Sequence, residues 1–172
     1  MPPEFPVGPF VPEPHATAAR RAELIAQLAA LPAELRATVN GLTDEQLDTK
    51  YKNWTLRQIV HHVADSHINS YVRFRWALTE ERPTIKAYFE AEWVQLPDAR
   101  TGPVELSLAL LDALHARWVV LLEALTDADF ARTYFHPQSG KTVSLTEALS
   151  NYAWHGRHHT GQIAWLRAAR GW

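Results

Sequence analysis

Cysteine is absent from this chain of 172 residues. Disulfides, thiolate metal ligands and a cysteine nucleophile are therefore excluded, and thiol chemistry would need a thiol from outside. The absence fits an oxidising or a reducing compartment equally. A dominant charge of one sign is also missing: 17 Lys and Arg against 19 Asp and Glu give a formal net charge of −2. Without a basic field, nucleic acid is excluded as the main partner. No apolar run reaches the length of a membrane span. No basic stretch followed by an apolar block opens the chain as a secretory signal would. The expectation is a cytoplasmic protein with no membrane partner.

The composition is that of an ordinary globular protein, 47% hydrophobic and 21% charged, and the length suits one domain with a substantial core. Seven tryptophans supply large rigid surfaces for core, pocket or interface. Residues 1–14 carry Pro2, Pro3, Pro6, Pro9, Pro12 and Pro14 between Phe5, Val7, Phe10 and Val11. Proline disfavours helix, and the apolar residues between suggest an extended arm lying on a surface.

Residues 15–172 read as a single helical domain. Leu24, Ile25, Leu28, Leu31, Leu35 and Val39 recur near a 3.6-residue period, with Pro32 expected to kink or divide that helix and Gly41 to end it. Thr43 to Gln46 has the form of a capping box, and Thr55 to Gln58 repeats it to open a helix over roughly 56–80. Residues 82–102 read as a long irregular connection, a common place for function. Pro103 then starts a third helix through Leu106, Leu110, Leu114, Trp118, Leu121 and Leu125. After a short turn and a Ser139-Gly140 turn signal, Ser144 to Glu147 caps a last helix reaching about Arg170, with Gly171 at its end. The predicted fold is all-α, a four-helix bundle with long crossover connections, and no strand-rich segment competes with it.

Six of the nine histidines fall in two short helical stretches, His61-His62-Val63-Ala64-Asp65-Ser66-His67 and Trp154-His155-Gly156-Arg157-His158-His159. Imidazole is the commonest protein ligand of transition metals. Residues four apart on a helix lie within about 40° of one another, so His155 and His159 share a face, together with Ala148, Tyr152 and Leu166. His158 points about 60° away and reads as a neighbour. On the facing helix His62 lies in a polar line with Ser66, Asn69 and Arg73 beside an apolar stripe, making it the best third ligand, with His61 the second choice. Three protein ligands and an open position describe a catalytic rather than a structural metal site.

Against this stands the plainer reading of satisfied or surface histidines filling a bundle interface, which suits any one of them taken alone. Gly156 and Arg157 after His155 rule out the zinc protease signature. Asp65 is a candidate base or supporting carboxylate, or else part of a solvated helix face. Ser66, His62 and Asp65 have the residue types of a triad without a nucleophile elbow, so the coincidence carries no weight. Arg73 and Arg75 could take an anionic substrate, although helix arginines are usually solvated.

The segment from Trp54 to His67 and the segment from Trp154 to His159 resemble the two signature segments of the DinB superfamily, in its YfiT-like branch. The likeness runs from the proline-rich arm to Gly171-Trp172 and includes Leu47-Asp48-Thr49 and Arg117-Trp118. It implies a four-helix bundle, a homodimer, and a zinc or nickel ion held by His62, His155 and His159. Some relatives carry a further histidine where this chain has Gln162, so a proton-transfer role there is not carried over. Relatives of this kind are described as metal-dependent hydrolases or transfer low-molecular-weight thiols such as bacillithiol, with mycothiol and glutathione serving elsewhere in the superfamily.

The expected function is a metal-dependent enzyme that activates an external thiol or water on a small-molecule substrate. Thiol S-transfer comes first, because thiolate suits such metals and the chain supplies none. A hydrolase comes second, and a non-catalytic metal or small-molecule binding protein third.

Overall fold

The computed structural model describes residues 1–172. In chain order the elements are α1 (Ala18–Val39), α2 (Asp44–Leu47), β1 (Lys50–Tyr51), β2 (Trp54–Thr55), α3 (Leu56–Thr79), α4 (Glu90–Trp93), α5 (Pro97–Thr101), α6 (Val104–Glu123), α7 (Asp127–Phe130), β3 (Thr133–His136), β4 (Lys141–Ser144) and α8 (Leu145–Arg170). The four long helices α1, α3, α6 and α8 form the bundle. Local chemistry sets their ends. The Thr55 hydroxyl accepts from the Gln58 amide while Gln58 Oε1 accepts from the Thr55 amide, a complete capping box. Ser144 caps α8 through the Glu147 amide alone, and Gly171 closes it in the left-handed conformation at φ +72°.

The packing order differs from chain order. α1 lies against α6 and α8, and α3 lies against α6 and α8. Helices α1 and α3 are thus diagonal across the bundle, as are α6 and α8. Each diagonal step needs a crossover, and each crossover carries one short helix and one antiparallel hairpin: α2 with β1–β2, and α7 with β3–β4. These hairpins are minor additions to the all-α bundle that the sequence predicts. The second, paired from Thr133↔Ser144 to His136↔Lys141, turns at Gly140 with φ +67°. Its alternating Thr-Tyr-Phe-His and Lys-Thr-Val-Ser strands around a Ser-Gly turn are a hairpin signal in hindsight.

Two expectations are corrected, that residues 82–102 are irregular throughout and that Pro32 could divide α1. The connection between α3 and α6 contains α4 and α5, and it is tied to β3 by amide bonds from Ile85 to the Phe135 carbonyl and from Phe135 to the Pro83 carbonyl. Pro32 does not divide α1, which runs unbroken with Pro32 buried inside it. Proline cannot donate to the carbonyl four residues back, here that of Leu28, and a side chain of α6 bonds that carbonyl instead.

The apolar core is split. One cluster gathers Leu28, Phe74, Trp118 and Leu149; the other gathers Leu31, Leu35, Val60, Val63, Leu111 and Ile163. Buried His67 and His115 fall between them in sequence on α3 and α6, forming a polar layer across the bundle. The proline-rich arm has no helix or strand, turns where the Gly8 amide donates to the Phe5 carbonyl, and packs on α8: the Trp154 indole donates to the Gly8 carbonyl at 2.9 Å, and Phe5 and Phe10 lie beside the Trp154 ring. No helix is long and apolar enough to cross a membrane.

Close approach of α1 and α8 depends on Gly156. A Cβ there would stand 2.3 Å from a methyl of buried Leu31. Gly156→Ala should therefore lower stability, with overpacking of about 1–3 kcal/mol exceeding the gain of roughly 1 kcal/mol in helix propensity. Urea unfolding measures the net sign.

Candidate metal centre

The structure brings His62 from α3 together with His155 and His159 from α8. One ring nitrogen from each lies within 4.8 Å of the others. His62 and His159 are buried, and His155 keeps part of its surface open. All three line a cavity of about 360 Å³ with Trp54, Ser66, Arg73, Tyr88, Glu90, His136 and Gln138. The Trp54 ring, presented by the first hairpin, sits 4.7 Å from the His62 ring and stacks near His159.

The hydrogen bonds determine which nitrogen each imidazole presents. A carbonyl can only accept, so the 2.6 Å contact between His115 Nδ1 and the Leu28 carbonyl makes His115 Nδ1 the donor. Neutral His115 then accepts at Nε2 from His67 Nδ1, 2.9 Å away. Neutral His67 in turn accepts at Nε2 from His155 Nδ1, 3.2 Å away. The proton on His155 is thereby held at Nδ1, and Nε2 is left as a lone pair facing the centre. Leu28 is free to anchor this series because Pro32 has no N–H to offer it.

His159 is set in the same sense by a side-chain amide. Its Nδ1 donates to Gln162 Oε1 at 2.8 Å, while Gln162 Nε2 donates to His158 Nε2 at 3.0 Å. His62 has no such support: its Nδ1 is buried and unpaired. Its Nε2 stands 3.1 Å from His155 Nε2.

The donor set fits a divalent metal. Facing imidazole lone pairs repel unless a proton or cation lies between them, and no carboxylate shares the cluster. Burial keeps the rings neutral: it pushes His62 down to about 4 and holds His67, His155 and His159 well below the ordinary range, with neighbouring histidines adding to the shift. Neutral imidazoles are available as ligands at neutral pH, and three such nitrogens suit a divalent transition metal.

The remaining candidates separate cleanly. His61 is satisfied elsewhere, between the Ser107 hydroxyl at 2.7 Å and the Gly102 carbonyl at 3.1 Å. His158 stacks on Trp154, packs edge-on against the His159 ring and accepts from Gln162, outside the three-histidine cluster. Asp65 is not part of the cavity lining; burial and the nearby Asp98 raise its carboxyl to about 6. Ser66 lines the cavity. Arg75 is exposed and bonds Tyr71, whereas Arg73 is buried and lines the cavity.

Sequence reasoning missed His67, His115, His136 and Tyr88. His67 was legible, since Val60, Val63, His67, Ser70, Phe74 and Ala77 form one buried helical stripe. His115 likewise continues Leu108 and Leu111 towards Trp118. His136 and Tyr88 reach the cavity from β3 and the α3–α4 connection, and no periodicity marks them.

Two outcomes follow. Replacing His115 with leucine, or His67 with phenylalanine, frees the His155 tautomer and should weaken metal affinity by roughly tenfold to a hundredfold, as loss of a ligand's supporting partner does. Competition with a chelator reads the affinity, and nitrogen-15 shifts of the imidazoles in the metal-free protein read the tautomers. The second concerns acid. The unfolded chain takes up protons at histidine near 6.5, whereas folded His62 does so only at about 4. Between those values the unfolded state binds more protons, so the stability of the metal-free protein should fall as pH drops from about 6.5 towards 4. Asp65, raised to about 6, works in the opposite direction, but it is one group against several histidines. Denaturant midpoints across that range test the slope; a flat or rising profile on acidification contradicts it.

Comparison with known proteins agrees with this architecture. The profile of the DinB superfamily matches residues 27–163. Proteins of Bacillus mycoides (strain KBAB4) and Geobacillus kaustophilus (strain HTA426), each named "Putative metal-dependent hydrolase", are 48% and 45% identical over 170 residues. The alignments cover 98% of this chain and 97% and 96% of theirs. The solved structure of YfiT from Bacillus subtilis, described as "a probable metal-dependent hydrolase with an unusual four-helix bundle topology", superposes with a TM-score of 0.95 at 44% identity, covering 98% of this chain and 97% of that one. This chain belongs to the DinB superfamily.

Proposed function

We propose that this protein is a metal-dependent enzyme whose His62, His155 and His159 hold one divalent ion, zinc or nickel, and that it transfers a low-molecular-weight thiol of the bacillithiol type to a small electrophile. The observation that carries the reading is the convergence of three neutral imidazoles at the wall of a polar cavity of about 360 Å³. Three protein ligands leave room for an exogenous one. The ion would supply Lewis acidity, lowering the pKa of a thiol or water placed beside it. The chain has no cysteine, so the thiol comes as a second substrate. Hydrolysis, with water in place of the thiol, is the second reading; the names of the close relatives favour it.

The chain's own residues do the rest. Trp54 walls one side of the centre against His62 and His159. The Tyr88 hydroxyl is pushed up by burial, so it remains a proton donor at the cavity. Glu90 is the one carboxylate in the lining, which leaves proton uptake to Glu90, His136 or solvent. The reading also takes the protein to be a homodimer in the cytoplasm acting on a small molecule.

Elemental analysis should find about one divalent ion per chain, and alanine at His62, His155 or His159 should abolish its binding, whereas His61→Ala should retain it. Metal-loaded protein is then given an electrophile with bacillithiol, glutathione or mycothiol in turn. Metal-dependent consumption of one thiol supports transfer. Turnover indifferent to thiol, with release of a hydrolysis product, replaces it with the hydrolase reading. Binding of metal with no turnover of any electrophile would leave a non-catalytic metal-binding protein.

A further inference from the structure

Two arginines on α3 are almost fully buried, Arg57 with 4% and Arg73 with 6% of their surface exposed. Their surroundings differ. Arg57 bonds Asp48 and Asp44 at 2.7 Å each and the Gly102 carbonyl at 3.0 Å. Arg73 has no ion pair at all. Its one hydrogen bond is a long contact to the Tyr152 hydroxyl at 3.4 Å, and its Nε is buried without a partner. A guanidinium keeps its charge inside a protein, and an unpaired buried charge is strongly unfavourable. Such a group persists where a ligand completes it.

The place where Arg73 lies indicates which ligand. It lines the cavity of the histidine cluster together with His136, whose Nδ1 is also buried and unpaired. Burial and the positive charge of Arg73 keep His136 neutral, so it offers a neutral hydrogen-bonding group. Arg73 and His62 share one stripe of α3, eleven residues and roughly 16 Å apart along the axis. Helical side chains lean towards the N-terminus, so Arg73 reaches back towards the histidines. We propose that Arg73, with His136, binds a carboxylate carried by the small molecule that reacts at the histidine cluster, at the end remote from its reacting atom. The proposal rests on the metal-centre reading for the location of the reacting end. A carboxylate is favoured over a phosphate dianion because a single guanidinium faces the cavity and Glu90 lines it too. Planar, bidentate pairing suits guanidinium to carboxylate.

The test compares probes that differ only in that group. Zinc-loaded protein should bind mercaptohexanoate roughly tenfold to a hundredfold more tightly than mercaptohexanol, the range of a hydrogen bond to a charged group. In Arg73→Met the preference should vanish with metal content and mercaptohexanol affinity unchanged, while Arg73→Lys retains part of it. Thermal melting should show Arg73→Met at least as stable as the parent, because no native ion pair is lost. Metal-free protein supplies an independent arm: hexanoate, but not hexanol, should shift the Arg73 Nε–H resonance. If that shift occurs while the zinc-loaded protein shows no preference, the carboxylate site stands and the metal-centre reading has failed. No discrimination in either arm, or discrimination that survives Arg73→Met, overturns the proposal. Stronger competition by inorganic phosphate than by hexanoate overturns the assignment to a carboxylate.

Discussion

The hydrogen bond from His115 to the Leu28 carbonyl has consequences well beyond its own two residues. Its polarity is dictated, since a carbonyl cannot donate, and each imidazole in line inherits its tautomer from the one behind it. Three helices are involved: Leu28 on α1, His115 on α6 and His67 on α3, with the series delivering its result to His155 on α8. The bundle is thereby pinned at one level by a polar layer, and the orientation of one nitrogen of the three-histidine cluster becomes a property of the whole fold. Pro32 makes this possible by leaving the Leu28 carbonyl without its helical donor.

A buried polar layer is stabilising only when nearly complete, because each unmet group costs about 1–3 kcal/mol and low dielectric magnifies both gain and loss. Behind the centre both ring nitrogens of His67 and of His115 have partners. At the cavity, His62 Nδ1, His136 Nδ1 and Arg73 Nε are buried without partners. These three belong to residues that line the open volume, where ligands rather than side chains can complete them, whereas Ser70 Oγ, Trp118 Nε1, His158 Nδ1 and Thr160 Oγ1 are unpaired away from it. Within α3 the contrast is between Arg73, nearly unpaired at the cavity, and Arg57, paired with two carboxylates and a carbonyl away from it.

The diagonal order of the bundle explains how the site is assembled. Because α3 and α8 are neighbours while α1 and α3 are not, the two histidine-bearing helices face each other directly. The crossovers forced by diagonal connection must pass over the bundle, and their hairpins end beside the cavity. The first brings Trp54 against His62, and the second brings His136 to the far wall.

Much of this was legible in the sequence. Helix boundaries at Thr55, Ser144 and Gly171 follow from capping chemistry confined to a few consecutive residues. The pairing of His155 with His159, and the choice of His62 over His61, follow from 3.6-residue geometry within single helices. What tertiary structure decided is everything that depends on which helix lies beside which. His67 and His115 are ordinary buried positions until α3, α6 and α8 are packed together; Tyr88 and His136 sit in connections whose path no periodicity specifies. Arg73 could be named from its stripe, but whether it was solvated like Arg75 or buried without a partner was settled only by packing. Local hydrogen bonding and helical period act over a turn or two of one chain segment, whereas burial and tautomer are set by neighbours tens of residues away, and those are chosen by the packing of the whole core.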